Sequence, residues 1–384
     1  MSVRFDRRTR RRLGAGLVVA ASLAFGLGWA FRDAAPPALW IEAPERWVAG
    51  ETFELRLSAD EPVVYRVRYG ALRIERVEQD LHLELTALAG PTPVRVEAAD
   101  GAGNLAWTAR VVEGVRLARA DWRLPDVVRP GAPFTAELTF RPAGAETTDP
   151  ELTIDGSATP LRPRDDGGFY AFGAVPLRTE PGTLELRATW RDGFGRTDGS
   201  GVELRHGALP GEVQELRLTP STLSVITPRA REIEAEALAA ARADPVDPPR
   251  WHAPFVLPIE GRGTSGFARA RRYAAGGPVS FHLGEDIAAP TGTEIRATND
   301  GVVRLAGMYP IKGGLTVIDH GAGVTSRYYH QSALRVEAGD VVRRGQVIGE
   351  VGSTGLSTGP HLHWEMRVQG EPTDPLAWVG RVRP

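Results

Sequence analysis

Thr358-Gly359-Pro360-His361-Leu362-His363-Trp364-Glu365-Met366-Arg367-Val368 is the stretch on which the reading of this chain turns. Its apolar residues Leu362, Trp364, Met366 and Val368 recur with a period of two, the signature of a strand with one buried face. On such a strand His361 and His363, at i and i+2, project together from the opposite face. A His-x-His pair alone is weak evidence, because most such pairs carry no chemistry. Its weight comes from two pieces upstream.

The first is His282-Leu283-Gly284-Glu285-Asp286, where Gly284 lets the backbone fold tightly enough for His282 and Asp286 to converge. The second is Tyr328-Tyr329-His330, which ends a β-branched and aromatic run from Val324. The chain has no cysteine, which removes disulfides, thiolate metal sites and cysteine nucleophiles together. Any metal is therefore held by histidine and carboxylate, and a catalytic zinc takes three such ligands while leaving one position to water. Histidine-bearing pieces at strand ends, flanked by glycine-rich turns and with no other polar cluster nearby, are hard to obtain by packing alone. They predict a metal site.

With 384 residues the chain has room for two to four domains. Its 44 glycines and 30 prolines suit short strands and turns, so the fold class is mainly β. A net charge of -2 leaves no electrostatic footprint for nucleic acid.

Residues 1–12 carry six arginines against Asp6, and the 19 residues from Leu13 to Phe31 are uncharged. That run is long enough for a membrane-anchor helix over 13–31, with 1–12 cytoplasmic and the rest exported. A cleaved signal peptide is the competing reading, and it exports the rest equally. Residues 36–115 alternate apolar and polar positions, as in Phe53, Leu55, Leu57 and Leu81, Leu83, Leu85, and 116–206 repeat the texture. Asp100-Gly101 and Asp192-Gly193 follow strands at matching places, so two tandem immunoglobulin-like β-sandwiches are expected, the Asp-Gly pairs being turns. His82 and His206 are strand or loop residues without chemistry.

Residues 207–250 are a connector. A short hairpin is expected around Leu216, Leu218, Leu223 and Val225, then a helix opening at Thr227-Pro228 and running to about Ala243. Ile233, Ala237 and Leu238 would share one face before Asp244-Pro245 breaks it. From Trp251 the pattern is again short strands and Gly-rich turns to residue 384, a small, mostly antiparallel β-domain.

Residues 251–378 resemble the LytM/lysostaphin-type metallopeptidases, zinc enzymes that cut peptide cross-links of bacterial peptidoglycan. The likeness runs from Thr264-Ser265-Gly266-Phe267 through Asp319-His320-Gly321 and Gly352-Ser353-Thr354-Gly355 to Thr358–Glu365 and Asp374-Pro375. It implies that His282, Asp286 and His363 are the ligands of one Zn2+ per chain. His361 and His330 then become the catalytic pair, His361 as general base and His330 as partner of the oxyanion and the leaving amine. Activity falls below about pH 6, where imidazoles protonate. Two positions depart from the pattern: Glu285 replaces an aliphatic residue, either as a hydrogen-bond acceptor behind the site or, the preferred expectation, facing solvent, and Ala268 replaces a glycine. His320 is a turn-stabilising residue. The implied function is a membrane-tethered peptidoglycan endopeptidase facing the wall. The alternative is a non-catalytic envelope protein that binds wall peptides or activates another hydrolase, and the upstream residues are a stalk, a partner surface or a cover over the site.

Overall fold

The computed structural model describes residues 35–177, 180–209, 213–215, 224–242, 248–272 and 279–383. The expected membrane span and the expected 216–225 hairpin lie outside or largely outside these residues. Among the described residues no helix is long and apolar enough to cross a membrane. Two compact units emerge, one ending at Arg119 but including 141–148 and 191–196, the other holding 120–140, 149–190 and everything from Thr197 onward.

In the first unit, Leu39–Glu42, Arg46–Val48, Thr52–Tyr69, Leu72–Thr86, Gly90–Ala99 and Leu105–Val115 form one six-stranded sheet. This departs from the expected pair of facing sheets. The cause is Thr52–Tyr69, which runs 18 residues without a break. Leu72–Thr86 pairs along its whole length, with a register shift between Ser58 and Val63. Its other edge takes Leu39–Glu42 against one half and Gly90–Ala99 against the other. Both halves turn alternate residues into one core, Phe53, Leu55 and Leu57 from the first and Tyr65, Val67 and Tyr69 from the second. One sheet folded over itself therefore does the work of two.

The next region does have two sheets. Ser157–Thr159, Thr147–Ile154, Gly182–Asp192, Thr197–His206 and Val127–Val128 form one, and Arg162–Pro163, Phe169–Ala174, Pro133–Arg141 and Arg119–Arg123 the other. Phe134, Ala171, Leu184, Leu186 and Leu204 fill a common core.

The site rests on an eight-stranded sheet ordered Arg262–Ser265, Glu285–Ala288, His361–Val368, Val324–Gln331, Gly313–Gly321, Gly301–Tyr309 and Val341–Val342, with Glu371–Thr373 also on His361–Val368. A smaller sheet of Glu294–Arg296, Val347–Glu350 and Ala333–Leu334 lies alongside in sequence. Leu362, Trp364, Met366 and Val368 are all buried, so the back of the expected strand faces a core. That core does not stop at Trp251. Tyr170, Phe172 and Ala174 of Phe169–Ala174 belong to it, the Phe172 ring lying 5.8 Å from Trp251 and 6.2 Å from Trp378. Arg129 pairs with Asp374 at 2.8 Å, and Asp374 N–H donates to Gly131 O at 2.8 Å. Each large apolar side chain buried this way is worth roughly 2–3 kcal/mol over its exposed state.

The connector helix spans Pro228–Ala240 with Thr227 as N-cap, its Oγ1 accepting from Ala230 N–H at 3.0 Å. Its buried residues are Ala230 and Glu234, with Leu238 half-buried beside Leu315, Val317 and Tyr329. Ile233, Ala237 and Leu238 share the inward face as expected, and that same face also carries a buried carboxylate.

Candidate metal centre

Three neighbouring strands bring the polar side chains together. Asp286 stands directly opposite His363, and Ala288 opposite His361, across Glu285–Ala288 and His361–Val368. Tyr329 stands opposite His363 on the far side. His330, one residue on, would face the other way on a regular strand, but its φ of +60° turns it into the same cleft. His282 arrives from the turn before Asp286. Gly284 makes that turn passable: a Cβ there would lie 2.4 Å from Trp364 O and 2.9 Å from the His363 ring.

His282 Nε2 lies 3.0 Å from Asp286 Oδ1 and 3.0 Å from His363 Nδ1, and His363 Nδ1 lies 2.8 Å from Asp286 Oδ1. One nitrogen or oxygen of each residue thus points to a common centre. The opposite nitrogens are fixed: His282 Nδ1–H donates to Gly266 O at 2.9 Å, and His363 Nε2–H to Glu365 Oε1 at 3.2 Å. Arg271 Nη2 donates to the outer oxygen of Asp286 at 3.2 Å, leaving Oδ1 turned inward.

The charges fit a cation. Burial opposes ionisation of Asp286, yet hydrogen bonds to His282 and His363 hold it well below the ordinary carboxylate range. Glu365 is likewise kept ionised against burial by Arg367, His363 and Arg327. Burial lowers the His282 pKa. For His363 burial works the same way, but Asp286 and Glu365 outweigh it and raise the pKa to about 9. Two carboxylates flanking one imidazole create a buried demand for positive charge at that nitrogen, and a His/Asp/His donor set suits a divalent metal.

His361 Nδ1–H donates to Gly359 O at 2.8 Å, which turns Nε2 inward to 3.8 Å from Asp286 Oδ1. His330 Nδ1–H donates to Thr354 O at 2.8 Å, and the rings of His330 and His361 are 4.8 Å apart. His330 has φ of +60°, a left-handed conformation that costs a residue with a Cβ roughly 1–2 kcal/mol. Burial, then the neighbouring His361, pushes its pKa down to about 3. All five residues line one cleft of about 620 Å³.

Every sequence-predicted site residue is present around this cleft. Glu285 differs from expectation: it is half-buried, its Oε2 accepts from Phe267 N–H at 3.2 Å, and burial raises its pKa. Ala268, standing in the glycine position, has φ of +61°, which explains the family's preference. His320 is fully buried between Asp300 O at 2.7 Å and Ser326 Oγ at 2.8 Å, a structural place. Sequence reasoning gave no role to Glu365 or Arg271. Glu365 had a signal, since i+2 from His363 puts it on the same strand face.

Residues 280–375 match Peptidase family M23, and this segment is an M23 domain of the LytM type. DD-carboxypeptidase/endopeptidase Mpg of Neisseria meningitidis serogroup B is 49% identical over 97 residues, 25% of this chain and 22% of the relative. Peptidoglycan DD-endopeptidase ShyB of Vibrio cholerae is 40% identical over 113 residues, 29% of this chain and 26% of the relative. Murein hydrolase activator EnvC of Escherichia coli is 46% identical over 96 residues, 25% of this chain and 23% of the relative. The chain thus spans about a quarter of the length of these relatives.

Proposed function

We propose that this chain is a zinc-dependent endopeptidase that hydrolyses peptide cross-links of bacterial peptidoglycan. The observation that carries the reading is the convergence of His282 Nε2, Asp286 Oδ1 and His363 Nδ1 at 2.8–3.0 Å, beneath a cleft that also receives His361 and His330. The relatives named as DD-endopeptidases support the substrate class. A zinc ion held by those three atoms would supply Lewis acidity to the scissile carbonyl and to a water.

The remaining chemistry belongs to the chain. His361, its Nδ1–H committed to Gly359 O, presents a bare Nε2 that takes the proton of the attacking water. Asp286 Oδ1, 3.8 Å away, favours the imidazolium so formed, which returns the proton to the leaving amine. His330 has its Nδ1–H committed to Thr354 O and stays neutral near pH 7, so its bare Nε2 orients the water rather than donating to an oxyanion. Thr264, Ser265 and Lys312 line the cleft where a peptide backbone would lie.

Residues 13–31 anchor the chain in the cytoplasmic membrane and the cleft faces the wall; the arginine cluster before the uncharged run supports this. The test is mass spectrometry of fragments released from defined cross-linked wall peptides. The zinc-loaded protein should release cleaved cross-links, and His361→Ala should keep its zinc while turnover collapses. An activator, as EnvC is named, would release nothing unless a second hydrolase were added. That result would overturn the reading.

A further inference from the structure

Outside the metal centre, the connector helix holds a buried carboxylate that the proposed chemistry does not use. Glu234 is 3% exposed. Its Oε1 accepts from Ile311 N–H at 2.7 Å and from Lys312 N–H at 2.8 Å, and its Oε2 pairs with Lys312 Nζ at 2.8 Å. Ile311 and Lys312 form the turn between Gly301–Tyr309 and Gly313–Gly321, and both line the catalytic cleft. A turn of this kind directs consecutive amides away from the sheet, where they need an acceptor from elsewhere.

The turn is also tied to the catalytic residues. Lys312 O accepts from His330 N–H at 3.0 Å, and Ile311 O accepts from Leu356 N–H at 2.7 Å. His330 occupies a left-handed conformation that its surroundings must impose, and Lys312 O is one of the groups imposing it. A chain of direct contacts therefore runs from Glu234 through the Lys312 peptide to the backbone of His330. The three residues proposed as metal ligands stand on the Glu285–Ala288 and His361–Val368 strands and the turn before Asp286, and share none of these contacts.

We propose that Glu234 is a positioning residue for the cleft: from the connector helix it fixes the Ile311–Lys312 wall and, through it, the aim of His330. The helix is then part of the working site, and its undocking would loosen one wall without touching the metal ligands. The activity arm of the test rests on the hydrolase reading above, whereas the exchange arm does not.

The experiment compares the full chain with Glu234→Ala and Glu234→Gln by hydrogen exchange, metal content and steady-state kinetics. In Glu234→Ala, peptides covering 309–314 and 328–332 should exchange about tenfold faster or more, as expected when a buried acceptor is lost, while 282–288 and 361–368 keep their protection. Metal content should hold, and kcat should fall by roughly ten- to a hundredfold with little change in KM, as for other groups that orient a catalytic shell. Glu234→Gln keeps an oxygen that can accept both amides, so it should restore the protection and most of kcat. Wild-type exchange in both peptides of Glu234→Ala, or a uniform rise across the domain, would overturn the proposal. Absence of any hydrolysis by the wild type would sink the endopeptidase reading instead, and the exchange pattern would still decide the role of Glu234.

Discussion

The first sheet and the metal-bearing sheet are built from the same alternating strands, yet they treat polar groups in opposite ways. Within the described residues 39–115, the buried set is apolar or tyrosine apart from Asp100, whose carboxylate closes a turn on Asn104. Ion pairs there, such as Arg66–Glu97, lie in solvent. The sheet around His361–Val368 buries His282, His320, His330, Arg327, Gln331 and Glu365. A buried charge is tolerated only when paired, and a paired one still gives less stability than a well-packed apolar residue. A strand that accepts this cost repeatedly on one face holds those groups for a reason other than stability.

Four substitutions or conditions bear on that contrast. The largest effect is expected from Asp286→Ala, which removes the carboxylate that His282 and His363 share. Metal measured on the purified variant should fall to background, and hydrolysis should drop on the order of a thousandfold, while circular dichroism stays that of a β-protein. Retained metal would break the assignment.

Next comes acid. Burial lowers the His320 pKa from 6.5 to about 4. Between those values the unfolded chain binds a proton that the folded chain refuses. Stability should therefore fall as pH drops from 6.5 towards 4, by roughly 3 kcal/mol for this ring, and level off below. Denaturant midpoints across that window, for wild type and His320→Gln, measure the share. The wild type should lose more.

A smaller change is expected from Glu365→Gln, which removes the charge behind His363 but keeps the shape. Metal affinity should weaken by about ten- to a hundredfold, read by competition with a chelating dye. Smallest of all is Trp107→Ser in the first sheet, where the ring is 81% exposed. Its stability should stay within about 0.5 kcal/mol of wild type. A larger loss would show that the outer face of that sheet is covered.

Much of this was legible from the residues. His361–Val368 was readable to its ends because alternation fixes both faces at once. His282, Asp286, His330, His361 and His363 stood out because glycines and short strands isolate them in sequence. What escaped has one physical cause in each case. Asp60-Glu61-Pro62 has the composition of a turn, yet Thr52–Tyr69 runs on through it, held by pairing on either side while the register against Leu72–Thr86 shifts between Ser58 and Val63. On the connector helix, Glu234 escaped because it counts as polar, whereas two amides and an ammonium make its burial favourable. The place of Glu285 escaped because nothing local reveals the Phe267 amide that meets it from the turn after Arg262–Ser265. Long-range partners of polar groups are set by tertiary packing, which a linear pattern does not encode.

The aromatic seam of Phe172, Trp251 and Trp378 has a practical corollary for anyone transplanting the catalytic part onto another carrier. Severing the chain at Trp251 would leave two indoles bare and strip Asp374 of both Arg129 and Gly131 O. It would also free the Phe267 ring, which sits so close to Gly131 that a Cβ there would come within 2.4 Å of it, next to the Gly266 carbonyl that steadies His282. The portable cassette begins near residue 120.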